Sequence, residues 1–192
     1  MNLYPLSWIL DLAMPRPCAL CGGEVPSAKR YPLCDRCEEG LPRVGGRRCP
    51  RCGKELISER ILCMRCRTAG YAFDSAWPLF HYAGTARELV VSYKLRGRRS
   101  LASFFAEELD RVLDGRYPSA VVVPVPPRPG KLRRRGWDQV EDLARVLECR
   151  FHRPVSRLLF RKSSAAEQKA LGAEARRRSE ERRVGKECRS RW

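Results

Sequence analysis

Four Cys-x-x-Cys pairs, Cys18/Cys21, Cys34/Cys37, Cys49/Cys52 and Cys63/Cys66, follow one another along this chain, separated by 12, 11 and 10 residues. A Cys-x-x-Cys turn sets two sulfurs on one side of a knuckle and so supplies half of a tetrahedral metal site. A second knuckle about a dozen residues later completes it. Cys49-Pro-Arg-Cys-Gly is the clearest knuckle, because a glycine after the second cysteine lets backbone amides turn toward the sulfurs, and Cys18-Ala-Leu-Cys-Gly-Gly repeats the pattern. All-thiolate ligation leaves no position open for water, so such ions hold structure and do no chemistry. The spacing predicts two structural Zn2+ ions, one on Cys18, Cys21, Cys34 and Cys37 and one on Cys49, Cys52, Cys63 and Cys66, with interleaved pairing as the alternative.

Other uses of the same cysteines fit less well. Disulfides need an oxidising compartment, thioredoxin-type chemistry uses one Cys-x-x-Cys on a βαβ frame, and an iron–sulfur cluster uses spacings less typical of these. The apolar opening, with Leu3, Leu6, Trp8, Ile9 and Leu10, has no preceding Lys or Arg and is broken by Asp11. It is short of the roughly 20 residues a bilayer requires and lacks a signal-peptide pattern. We read residues 1–14 as a short helix and expect no transmembrane segment and a cytoplasmic protein. Cys149 and Cys188 stand outside the ladder, and His81 and His152, the chain's 2 histidines, lie in no catalytic constellation.

Beyond Gly70 cysteine almost vanishes and ordinary globular patterning begins, which divides a ribbon over 15–70 from a second region over 71–177. Phe73–Tyr82 alternates as one or two short strands do. Thr85-Ala-Arg-Glu88 reads as a capping box opening a helix that ends at Gly97. Leu101, Phe104, Phe105, Leu109, Val112 and Leu113 share one face of a second helix stopped by Gly115. Ser119–Val125 is a continuous apolar run, as in a strand buried on both faces of a parallel sheet. A basic loop over Pro126–Gly136 follows, then a helix from Asp138 to Arg150 with Val140, Leu143, Ala144 and Leu147 on its core face and Asp138 with Glu141 as a capping box. Strand, loop and helix in that order are an α/β signature, and the loop at the carboxyl end of the strand is where such sheets bind ligands. Arg128, Lys131, Arg133, Arg134, Arg135 and Gly136 are therefore the candidate phosphate- or pyrophosphate-binding residues. The formal charge of +17 at pH 7 suits a phosphate-bearing partner such as a nucleotide or DNA.

The knuckles, Tyr82-Ala-Gly-Thr-Ala-Arg-Glu-Leu-Val-Val-Ser-Tyr-Lys-Leu-Arg-Gly97, Val123-Pro-Val-Pro126, Arg135-Gly-Trp-Asp-Gln139 and Leu159-Phe-Arg161, with Gln168, Leu171 and Arg176 beyond, resemble the ComF family. Trp137-Asp138 replaces a usual Phe-Asn, and Ala165 a usual Thr. The resemblance implies a phosphoribosyltransferase-like protein associated with DNA uptake in bacterial competence. It implies an α/β fold: an N-terminal double zinc ribbon followed by part of a type I phosphoribosyltransferase-like parallel-sheet domain. In that family phosphoribosyl pyrophosphate binds through an acidic pair and a Thr/Gly-rich loop, with Mg2+ where the full-length protein is an active transferase. No such segment is legible here, since Glu141-Asp142 falls within a helix. The expectation is a fragment with the pyrophosphate-side loop, no assigned catalytic residue and no activity as it stands. The alternative is a non-catalytic zinc ribbon that binds DNA or acts as a scaffold for the uptake machinery. Residues 178–192 read as the translation of a sequencing-library adapter, so this tail is expected to be non-native.

Overall fold

The computed structural model describes residues 16–160 other than 59, 60, 69, 70, 72 and 128. The predicted helix over 1–14, Arg128, the family-like positions Arg161, Gln168, Leu171 and Arg176, and the tail over 178–192 lie outside the described residues.

The two halves of the ribbon are built alike. A two-residue antiparallel hairpin, β1 (Arg16–Pro17) with β2 (Glu24–Val25), pairs Arg16 with Val25 and Pro17 with Glu24 around the first knuckle. The Arg48–Glu55 antiparallel bridge does the same around the third. Each hairpin is answered by a single helical turn, α1 (Asp35–Glu39) after Cys34 and α2 (Met64–Thr68) after Cys63. An extended segment over 76–81 then straps the halves together. The Ala76 amide donates to the Arg51 carbonyl at 2.8 Å, the Val44 amide to Leu79 at 3.1 Å and the His81 amide to Pro42 at 2.9 Å. The strand character predicted for Phe73–Tyr82 is thus realised as this strap, with one antiparallel bridge between Arg43 and Phe80.

Helices follow: α3 (Gly84–Lys94), a 3-10 turn (Arg99–Leu101), α4 (Ala102–Arg116), α5 (Pro129–Arg135) and α6 (Gln139–Phe151). The Thr85 capping box does not form. Gly84, at φ +47°, turns the chain into the helix two residues earlier, and the extended Ala83 is the N-cap with no side-chain bond. Thr85 donates instead to the Gly40 carbonyl at 3.4 Å, and Glu88 pairs with Arg96 at 2.5 Å. Nor does Gly115 stop α4, which runs on to Arg116, whose guanidinium lies 3.8 Å from the Trp77 ring centre. Arg48 covers the same indole at 4.2 Å, so one tryptophan joins ribbon and helix.

The apolar run Ser119–Val125 is extended but is not buried on both faces. Val121, Val123 and Val125 are exposed, and one parallel bridge joins Val122 to Val155, made by the Val122 amide to the Pro154 carbonyl and the Ser156 amide to the Val122 carbonyl. Among the described residues nothing covers its outer face. The stretch expected as a loop contains α5: Pro129, at the first helical position, presets φ, and Gly136, at φ +70°, ends the turn as its amide donates to Leu132. In α6 the Asp138 half of the expected capping box forms, its carboxylate accepting from the Val140 amide at 3.1 Å, whereas the Glu141 carboxylate turns to Arg157 and Arg145. His152 closes the helix in the left-handed region at φ +53°.

One core joins residues on both sides of the change in composition near residue 70. Cys18, Ala19, Val25, Tyr31, Leu33 and Leu41 of the first ribbon pack with Ala86, Leu89, Tyr93, Leu101, Ala102 and Phe104 of the helices. Phe104, 1% exposed, is its hub, meeting Tyr31 edge-on at 5.3 Å and Phe80 at 6.2 Å between ring centres. Buried Glu108 accepts from Arg43 of the ribbon at 2.5 and 2.9 Å and from Arg111, so the one buried carboxylate of the helix face is held by two guanidiniums. The second ribbon has its own small cluster, Cys49, Cys63 and Cys66 with Cys52, Leu56, Leu62 and Tyr71. We expect Phe104→Ala to cost about 3–5 kcal/mol in denaturant unfolding and to loosen the first ribbon and α3 together. Amide exchange should show the second ribbon unchanged; equal loosening of both ribbons would contradict the separate clusters.

Candidate functional site

The cysteines gather as two sets, Cys18, Cys21, Cys34 and Cys37, and Cys49, Cys52, Cys63 and Cys66, each with its sulfurs within 4.8 Å of one another. This is sequential pairing, and the interleaved alternative is excluded by the geometry. Zinc–sulfur bonds of about 2.3 Å make a tetrahedron with sulfur–sulfur edges of about 3.8 Å. The Cys21–Cys34 separation is 3.7 Å and the Cys52–Cys63 separation 3.6 Å, so both sulfur sets fit a tetrahedral ion.

The knuckles that place these sulfurs repeat bond for bond. The Cys18 amide donates to the Gly23 carbonyl and the Gly22 amide to Cys18; the Cys49 amide donates to Lys54 and the Gly53 amide to Cys49. Gly22 and Gly53 both sit in the left-handed region, at φ +75° and +71°. They differ in surroundings. A Cβ on Gly22 would meet nothing within 4 Å, whereas one on Gly53 would lie 2.1 Å from Pro78 Cδ and 2.6 Å from the Ala76 carbonyl of the strap.

Electrostatics within each set are uneven in the same way. Burial raises the pKa of Cys18, but amides of Cys21, Cys34 and Leu20 outweigh it and bring the thiol down to about 6. Cys49 is likewise taken down to about 6, burial being outweighed by the amides of Cys52, Cys63 and Arg51. Cys37 and Cys66 are pushed up to about 12, first by burial and then by their three neighbouring thiols. One sulfur of each set ionises readily and another resists, as four close thiols must until a cation takes the place of their protons.

A cleft of about 410 Å3 lies between the end of the extended segment, at Pro124 and Pro126, and the start of α6, at Gly136, Trp137 and Asp138. Its charged groups are paired. Arg99 grips Asp142 with two bonds of 2.8 and 3.0 Å, and Arg157 grips Glu141 at 2.9 Å while Arg145 reaches the same carboxylate at 3.2 Å. The Arg157 bonds hold the Glu141 carboxyl below its usual range. Trp137 packs edge-on against Tyr93 at 5.5 Å, and the Tyr93 hydroxyl donates to the Gln139 carbonyl at 2.6 Å.

Of the predicted phosphate-binding residues, Gly136 lines this cleft. Arg133 is exposed on α5, and Arg135 donates to the Lys94 carbonyl at 3.1 Å, tying α5 to the end of α3. Lys131 and Arg134 lie on the backbone of α5. Arg99, Arg145 and Arg157 were not among the residues picked from the sequence, because they come from three separate segments and only the fold brings them together. His81 faces Glu55 at 3.4 Å and has no further part in the site.

Residues 9–67 match the family model described as the double zinc ribbon domain. The chain is similar to the competence protein ComFC of Streptococcus pneumoniae (strain ATCC BAA-255 / R6), 27% identical over 146 residues that cover 66% of this chain and 62% of that protein. It is also similar to the competence protein ComFC of Bacillus subtilis (strain 168), 26% identical over 140 residues that cover 69% of this chain and 58% of that one. The chain thus spans less than two thirds of the length of these relatives. No solved structure matches it. Among the described residues no helix is long and apolar enough to cross a membrane.

Two outcomes test the sulfur geometry. Metal analysis of the purified chain should find about two zinc per molecule, falling to about one in Cys66→Ser. Gly53→Ala should release zinc from the second set, because the strap cannot clear the new methyl. Gly22→Ala should keep both ions at a cost of about 1–2 kcal/mol for the left-handed backbone. Equal zinc retention in the two glycine variants would overturn the assignment of the strap contact.

Proposed function

We propose that this chain is a member of the ComF family and serves DNA uptake in natural competence as a phosphoribosyltransferase-like protein braced by two structural Zn2+ ions, a reading supported by its zinc-ribbon match and its similarity to the two ComFC proteins. Its 15–70 ribbon is the brace. Its 71–177 region carries the pyrophosphate side of a site for phosphoribosyl pyrophosphate or a nucleotide, with Mg2+ accompanying the ligand if the whole protein is an active transferase. The competence reading comes from the names of the relatives, and a cytoplasmic location goes with it. No catalytic residue is assigned.

The observation that carries the ligand reading is the course of the chain around the cleft. A segment paired in parallel at Val122 ends in Pro124–Pro127, passes through the basic α5 and turns at Gly136 into α6, whose first residues line the cavity. Ligands of α/β proteins bind at such strand ends, and a left-handed glycine lets backbone amides approach a phosphate. Arg133 and Arg135, with Arg128, Lys131 and Arg134, supply the cations.

A second reading rests on charge. Within the cleft Arg99, Arg145 and Arg157 are matched by Asp138, Glu141 and Asp142, so the cleft carries none of the formal excess, which is +17 for the whole chain and +14 once the six basic and three acidic residues of 178–192 are left out. That distribution favours a long polyanion and a non-catalytic role as a DNA-binding or scaffold protein.

Amide exchange in inorganic pyrophosphate separates the two. The transferase-like reading expects protection confined to residues 126–140 and roughly tenfold weaker binding in Arg135→Glu, the loss of one charge-assisted contact. No protection by pyrophosphate, with oligonucleotide binding that falls steeply with salt, would replace it with the second reading.

A further inference from the structure

The second ribbon carries a groove that borders its sulfur set and is distinct from the cleft before α6. It encloses about 800 Å3 and is lined by Cys52, Lys54, Cys63, Met64, Arg65, Tyr71, Phe73 and Ala76. Its aromatic wall is tied to the ribbon. Tyr71 and Phe73 stack at 4.9 Å and 29°. The Arg51 guanidinium lies 5.8 Å from the centre of the Tyr71 ring and donates to the Tyr71 carbonyl at 2.8 Å, and the Arg51 carbonyl accepts from Ala76. The wall is therefore held to the Cys49–Cys52 knuckle without a partner, which lowers the ordering cost of binding on this side.

The side chains left in water are of an unusual kind for a small metal-held module. Met64 is 73% exposed, at the start of α2 in the groove, and Ile61 is 72% and Ile57 95% exposed on the segment between Cys52 and Cys63. Three large apolar side chains exposed within eight residues of sequence are a feature of interaction surfaces, and Met with aromatic residues and Arg, as in the lining of this groove, is the composition enriched in protein interfaces. The Tyr71 and Phe73 rings could stack on a base as well as on an apolar side chain, but exposed Met64, Ile57 and Ile61 offer neither a π face nor a hydrogen bond to a base, and they tip the surface toward a polypeptide. The charged residues lining the groove, Lys54 and Arg65, are both cations. The Arg65 guanidinium has no carboxylate or carbonyl partner among the described residues.

We propose that this groove docks an acidic amphipathic segment of a partner protein, its apolar side chains seated between Met64 and the Tyr71–Phe73 wall and its carboxylates on Arg65 and Lys54. The arrangement is a helix-in-groove site with an apolar floor and a basic rim. The inference does not depend on what the cleft before α6 binds.

The test is a selection of displayed random peptides of about 15 residues, some four helical turns, on the zinc-loaded full chain. The Lys54→Glu/Arg65→Glu double variant serves for counter-selection. The expected winners carry Asp or Glu beside apolar residues three or four apart. A labelled winner should bind Arg65→Glu and Phe73→Ala roughly tenfold more weakly, with the zinc content of both variants unchanged. Because the Arg65 side chain is exposed, its variant reports even if Phe73→Ala disturbs the ribbon. Winners without acidic enrichment, equal binding to parent and Arg65→Glu, or displacement of the peptide by oligothymidylate would each overturn the proposal, the last in favour of a nucleic-acid surface.

Discussion

Eight sulfurs held in two tetrahedra are the constraint from which the rest of the ribbon follows. The second half could not fold by burying apolar surface: its cluster consists of three buried cysteines with four partly buried neighbours, far too little to offset the entropy of ordering a loop-rich stretch. Ligation supplies what the core does not. It also fixes local geometry. A sulfur must be met by amides and its knuckle must turn through a left-handed glycine, and the recurrence of the same two backbone bonds at Cys18 and Cys49 shows the chain solving one problem twice. The hairpin-plus-helical-turn repeat is a consequence of that solution.

The two solutions are embedded differently. The first ribbon contributes Cys18, Tyr31 and Leu33 to the same core as α3 and α4, so its metal set and the helices stabilise each other. The second is attached by the strap, by Arg48 over Trp77 and by the close approach of Gly53 to Pro78. Glu108 reinforces the first connection. A carboxylate 3% exposed is costly on its own, but Arg43 brings a guanidinium from the ribbon in bidentate geometry and Arg111 adds another. The charge pair therefore specifies how ribbon and helix meet more than it adds raw stability.

What could be read from the residues follows the same physics. Sulfur ligation is a valence requirement, so the eight ligands were legible from spacing, with sequential pairing preferred over interleaved until the fold brought the sulfurs together, and the Asp138 cap was legible too, since it needs only a local carboxylate. Nonlocal features were not. Glu108 breaks the apolar pattern of its helix and becomes buried only because Arg43, 65 residues earlier, neutralises it. Short α5 has no apolar periodicity and reads as a loop. The capping box at Thr85 fails because Gly84 adopts a backbone angle that sequence pattern does not report. Val121, Val123 and Val125 form an apolar run as a buried strand does, yet what covers a strand is a property of its neighbours and not of the run.

Charge gives the last step. The cleft before α6 is walled by ion pairs whose carboxylates are already satisfied by Arg99, Arg145 and Arg157. An anion entering it must compete with Asp142 and Glu141 for those guanidiniums, so the cavity as built holds its own shape before it holds a ligand. The cations that could recruit a phosphate stand at its edge on α5, where Arg135 ties that helix to the end of α3. Paired residues give the cavity a fixed form, and cations on a short helix beside it supply attraction. A site divided in this way keeps its geometry when empty, because the groups that shape it are not the groups that would bind.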